Sequence, residues 1–130
     1  MEIDENRIQR ELAQIHGQLE WRSRFGVGVS LPPESDDAVF SRIPATLGNA
    51  VWINLENTQV SDAGLSRLEG LPVLESVRLA GTAVSAAGIE HLIEATPTLQ
   101  EITIAAGQLP GDERARLRVA VPGVPIVEIA

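Results

Sequence analysis

The sequence predicts an α/β solenoid, a stack of coils that each contribute one short strand and one helix, capped at the N-terminal end by a further helix. Two observations carry that expectation. From residue 50 onward, apolar side chains return in one pattern at steps of 24 or 25 residues, and the segments between them repeat too. The first 24 residues instead carry a single helical stripe.

In chain order, Ile8, Leu12, Ile15 and Leu19 fall at i, i+4, i+7 and i+11, flanked by Glu5, Arg7, Arg10, Glu11 and Glu20. This is the pattern of an amphipathic helix over residues 1–24. A stack of coils needs a terminal unit with a polar outer face, and this helix suits that role. Residues 25–130 form about four units, the first and last irregular. Val27 and Val29 supply a first strand, although Leu31-Pro32-Pro33 interrupts the pattern before Asp37 restores it.

The repeat itself reads Ala50-x-x-Ile53-x-Leu55-x-x-Thr58-x-Val60, then Leu74-x-x-Val77-x-Leu79-x-x-Thr82-x-Val84. It continues as Leu99-x-x-Ile102-x-Ile104-x-x-Gly107-x-Leu109 and ends with Val124-x-x-Val127-x-Ile129. Within each unit, a period-2 pair such as Val77 and Leu79 marks a short strand with its apolar side inward. Ser61-Asp62 and Ser85 follow as N-caps, because their side-chain oxygens can accept orphan amide bonds. Leu65, Leu68 and Leu71, or Ile89 and Leu92, then recur at helical spacing. Pro72 and Pro97 end those segments. One unit cannot bury its own apolar face, so neighbours share a core and pair their strands in parallel.

These residues resemble the leucine-rich-repeat family, whose consensus is L-x-x-L-x-L-x-x-N/C-x-L. Thr58-x-Val60-Ser61-Asp62-Ala63-Gly64-Leu65 is similar to the T-x-V-T-D-A-G-L form of bacterial repeats of this length. The units Ile53 to Leu74 and Val77 to Leu99 match well, and the others in part. The resemblance implies a right-handed superhelix with a parallel sheet on the concave face and helices on the convex face. It also places Thr58 and Thr82 at the position whose side chain satisfies turn backbone groups, a task Gly107 lacks the side chain to perform.

Function is then expected on the concave sheet, where the non-core strand positions form three ladders. Trp52, Ser76, Glu101 and Ile126 make the first; Asn54, Arg78, Thr103 and Glu128 the second; Glu56, Ala80, Ala105 and Ala130 the third. Gly26, Gly28 and Ser30 extend them. The expected partner-binding residues are Trp52, Asn54, Glu56, Ser76, Arg78, Glu101 and Thr103. Trp and Arg are frequent binding hot spots. The competing readings are that Trp52 folds over its neighbours and that Arg78 pairs with Glu56 or Glu101. The strand Val127-Glu128-Ile129 has no helix following it, so it is a candidate edge for self-association into a homo-oligomer.

Composition narrows the partners. Eighteen acidic and ten basic residues give a net charge of −8, which disfavours nucleic acid and anionic membranes. All the basic residues are Arg. The absence of cysteine removes disulfides, thiolate metal sites and thiol nucleophiles. The acidic N-terminus does not resemble a secretory signal and no apolar run reaches spanning length, so a soluble cytoplasmic chain is expected.

No catalytic constellation is expected, and no cofactor or metal. Glu90, His91 and Glu94 lie on one helical segment but lack a third strong ligand type. Gly26-Val27-Gly28 is too short for a dinucleotide fingerprint, and no Gly-x-Ser-x-Gly elbow occurs. The chain therefore reads as a non-enzymatic protein-interaction module, with an assembly subunit as the alternative.

Overall fold

The structure, a computed structural model, describes residues 4–120, 123 and 126–129, with only the backbone of 118, 120 and 127–129. Its elements run α1 (Glu5–Gln14), β1 (Gln18–Arg22), β2 (Val27–Ser30), α2 (Pro44–Asn49) and β3 (Ala50–Asn54). They continue with α3 (Asp62–Leu65), β4 (Ser76–Arg78), α4 (Ala86–Ala95), β5 (Glu101–Ala105), α5 (Gly111–Ala120) and β6 (Ile126–Ile129). Short 3-10 turns occupy Asp37–Arg42 and Ser66–Leu68, the second following directly on α3.

The strands form one six-stranded sheet in the order β1-β2-β3-β4-β5-β6. The first pair is antiparallel and the rest are parallel, each strand beside its successor in sequence. Ile53, Val77 and Ile102 are Cα partners in line and fully buried. They share one core with Leu65, Leu68, Ile89, Leu92 and Leu117 from the helical side. α1 packs on α2, α3 on α4 and α4 on α5, with the turn Asp37–Arg42 between α2 and α3, so the helical elements line one side of the sheet.

The N-terminal stripe is interrupted. α1 ends after Gln14, where the His16 amide donates to Ala13 O and the Gly17 amide to Leu12 O, the double bond of a Schellman cap. His16 takes the left-handed conformation there (φ 59°). Leu19, expected on the same helix, lies instead in β1 and still packs against the core. α1 is locked to the first repeat by Glu11, which is 8% exposed. Its carboxylate accepts from Ala45 N (3.0 Å), Thr46 N (2.8 Å) and Thr46 Oγ1 (2.8 Å) at the start of α2. Ile43, the residue in the N-cap position, offers no side-chain acceptor, so Glu11 supplies it from another helix.

Polar fasteners also join consecutive units. Asp37 Oδ1 accepts from Ser61 N (2.7 Å) and Oδ2 from Ser61 Oγ (2.5 Å). One unit on, Asp62 accepts from Ser85 N (2.8 Å) and Ser85 Oγ (2.6 Å) in the same way. Gly64 and Gly88 follow each serine by three residues, and a Cβ at either would overlap the neighbouring Asp carboxylate. The third interface drops the device as a set, because the equivalent residues are Ala86, Pro110 and Glu113. Proline has neither the N–H nor the hydroxyl to give, so no carboxylate is called for opposite it. Ser61, expected as a side-chain N-cap, makes no such cap bond and spends its hydroxyl on Asp37. Ser85 does both, accepting from Gly88 N at 3.2 Å.

The turns after the strands behave as the resemblance implies for two units. Thr58 Oγ1 donates to Leu55 O (2.8 Å) and Thr82 Oγ1 to Leu79 O (2.6 Å). In the third unit Gln108 compensates for Gly107. Its Oε1 accepts from Ala105 N (2.9 Å) and Gly81 N (3.1 Å), and its Nε2 donates to Leu79 O (2.9 Å). The left-handed residue also moves, from two positions after the core leucine (Asn57, Gly81) to three (Gly107, after Ile104).

The last strand corrects the predicted register. Ile102 pairs with Ile126, not Val127, which instead faces Thr103. A one-residue slip exchanges the two faces of a strand. Ile126, assigned to the first open ladder, packs against the core instead. Glu128 likewise pairs with Ile104 and leaves the Thr103 ladder. Ala130, Val124 and Pro125 lie outside the described residues.

Candidate binding face

The open face is built by strand register. Trp52, Ser76 and Glu101 are Cα partners across β3, β4 and β5, and Asn54, Arg78 and Thr103 form the next row. These two rows match the expected ladders through β5. The extension into β2 is displaced by two residues, since Gly28 pairs with Trp52 and Ser30 with Asn54.

That displacement gives Gly28 a purpose. A Cβ on Gly28 would overlap the Trp52 indole, so the ring lies across a backbone that no side chain covers. Trp52 is half-buried as a result, which follows the reading that it folds over its neighbours while leaving part of the ring accessible. On the other side of Gly28 stands Trp21 of β1, its antiparallel partner. Directly opposed residues share a face. A bulge between Leu19 and Trp21 explains how Leu19 reaches the core while Trp21 turns the other way. Arg22, next in the strand, pairs with Glu5 on α1. Trp21 is 43% exposed and also borders a shallow hollow with Gln9 and Glu20. The first row therefore runs Trp21, Gly28, Trp52, Ser76, Glu101, and both tryptophans of the chain lie on it. Neither Trp21 nor the role of Gly28 was part of the sequence expectation; the alternation Leu19-Glu20-Trp21 after Gly17 was the signal for a strand there.

The second row is less open than expected. Arg78 Nε pairs with Glu56 Oε1 at 3.0 Å, with the two side chains 46% and 24% exposed. Asn54 is half-buried and its Oδ1 accepts from Glu56 N (2.9 Å). Thr103, expected as a contact residue, is 4% exposed and so is not a surface group. It sits between β4 and β6, which pair with it on both sides. Ala80 is buried as well, which narrows the shallow strip expected in the third ladder. Ser76 is half-buried, and Glu101 is exposed with no ion pair among the described residues.

The proposed self-association edge, Val127, Glu128 and Ile129, lies in β6, last in the strand order. A hollow of about 330 Å³ lies away from the open face, between Gln14 and His16 at the end of α1 and Glu34, Asp36 and Arg42. It holds none of the expected contact residues. Glu90 is half-buried while His91 and Glu94 are exposed on α4. Among the described residues no three His, Cys, Asp or Glu side chains converge as metal ligands, and no helix is long and apolar enough to cross a membrane.

The geometry defines a class: an α/β chain with a mostly parallel sheet in sequential strand order, one face under helices and one open. No known protein-family profile and no curated protein matches the sequence. Solved structures do match in fold. The C-terminal domain of tropomodulin from Caenorhabditis elegans superimposes with a TM-score of 0.60 at 15% identity, over 97% of this chain and 81% of that one. Leiomodin-1 actin-binding site 2 gives 0.57 at 12% identity, over 98% and 79%. A chain of the yeast Rad7 and Elc1 complex gives 0.62 at 17% identity, covering 77% of this chain but only 25% of its own length. At such identities the likeness is one of fold.

Proposed function

We propose that this chain is a non-catalytic protein-interaction module, a leucine-rich-repeat solenoid that holds a partner on its concave sheet around Trp52, Arg78 and Glu101. The observation that carries the reading is the continuous open row, in register from β1 to β5, with an aromatic end and a charged end. Trp and Arg are enriched among the few residues that carry most of an interface's binding energy. Two features support the solenoid assignment: the Thr turn bond recurs within successive units, and the Asp–Ser fasteners join each of those units to its neighbour. Among the fold neighbours, leiomodin-1 site 2 binds actin and the Rad7–Elc1 chain belongs to a complex, which favours binding over catalysis for this architecture by analogy.

The test is the double variant Trp52→Ala, Arg78→Ala. It should weaken capture of the native partner more than tenfold while the far-ultraviolet spectrum keeps its shape. Equal capture by the variant and the parent chain refutes the assignment of the face.

A further inference from the structure

Resting on that reading, we infer that the partner presents a basic, arginine- or lysine-bearing segment to the row Trp21, Gly28, Trp52, Ser76, Glu101. Three observations converge. Two indoles flank Gly28 at one end of the row, and the ring of Trp52 lies over that glycine, half-buried, with part of its π-system accessible. A cation over an indole face is attracted by the ring quadrupole. At the other end Glu101 is exposed and has no ion pair among the described residues. Between them the one cation of the two rows, Arg78, is already held by Glu56 at 3.0 Å, so the face offers little to an anion. The formal charge of −8 acts in the same direction at longer range. Adjacent strands in a sheet are about 4.8 Å apart. From Trp52 across β4 to Glu101 is then roughly 10 Å, which an extended segment spans with residues three or four apart. The fit is to a partner strand or loop with basic side chains at that spacing, one stacked on an indole and one paired with the carboxylate.

Both tryptophans lie on this row, so intrinsic fluorescence reads the site without a label. The probes are three synthetic octapeptides that alternate serine with arginine, glutamine or glutamate. The arginine peptide should change the emission saturably, with a dissociation constant that rises at least fivefold from 20 mM to 300 mM salt as screening sets in. Glu101→Gln should raise that constant about three- to tenfold, whereas Glu94→Gln on α4, outside the row, should leave it unchanged. Trp52→Ala should abolish the response that Trp21 still reports. Equal binding of the glutamine or glutamate peptide overturns the inference, as does equal weakening by Glu94→Gln and Glu101→Gln, or no response to any peptide up to millimolar concentration. Those outcomes bear on the partner's charge alone; the double variant described above bears on the face itself.

Discussion

Replacing Glu11 by Ala is expected to be costly, because it orphans three donors at once. Glu11 accepts from Ala45 N, Thr46 N and Thr46 Oγ1, and Thr46 is fully buried. A buried donor left without a partner costs about 1–3 kcal/mol. Ala45 is half-buried and water can reach part of the gap, so the sum is taken as about 3 kcal/mol and not the arithmetic maximum. With an unfolding entropy of about 2.1 cal/mol/K per residue over 130 residues, that corresponds to a fall in Tm of roughly 11 °C. Glu11→Gln keeps one carbonyl acceptor and should lose about half as much. The decisive measurement is a thermal or urea double-mutant cycle with Thr46→Val. Removing the hydroxyl should be costly beside Glu11 and nearly free in the Glu11→Ala background, a coupling of about 1 kcal/mol or more. Additive effects, or a drop in Tm under about 3 °C for Glu11→Ala, would show that the carboxylate does not hold α1 to α2.

Two glycine-to-alanine changes within helices should have opposite signs. Gly48→Ala in α2 meets nothing within 4 Å and should stabilise by about 0.5–1 kcal/mol through helix propensity. Gly88→Ala in α4 runs into the Asp62 carboxylate and should destabilise despite the same propensity gain, as read by urea denaturation. Gly28→Ala should displace the Trp52 ring and red-shift its emission, with little change in circular dichroism below 230 nm. Gln108→Ala removes the side chain that joins the β4 and β5 turns and should lower stability by about 2 kcal/mol, with amide exchange rising first at Gly81 and Ala105.

The central units were legible because periodicity dictates them. Val77 and Ile102 pair where the 25-residue step from one to the other puts them, and Thr58 and Thr82 bond as their position in the turn requires. The N-terminal segment was misread beyond Gln14 because Leu19 continues a helical stripe by spacing alone. The Gly17 position decides otherwise: a Cβ there would press on Leu12, and the chain leaves the helix for an edge strand. The slip of β6 was hidden because Ile126 and Val127 are both apolar, so either can face inward. Of the face, the order of Trp52, Ser76 and Glu101 could be read from the repeat. Its accessibility could not, since burial of Thr103 and the hold of Glu56 on Arg78 depend on neighbouring strands. The Asp–Ser fasteners were visible as residues but were assigned to capping, a local role, while their bonds run between units.

Residues 61 to 84 carry both halves of that fastener, a serine that gives and an aspartate that takes. A duplicate of this stretch spliced in behind the original would meet a carboxylate on one side and a hydroxyl on the other, as a link of chain fits its own copy. The next stretch, 85 to 109, keeps the serine but has Ala86 in place of the aspartate, and would not. Lengthening of the molecule is thus compatible with its middle and resisted beyond it, a polarity written into four side chains and the two glycines beside them.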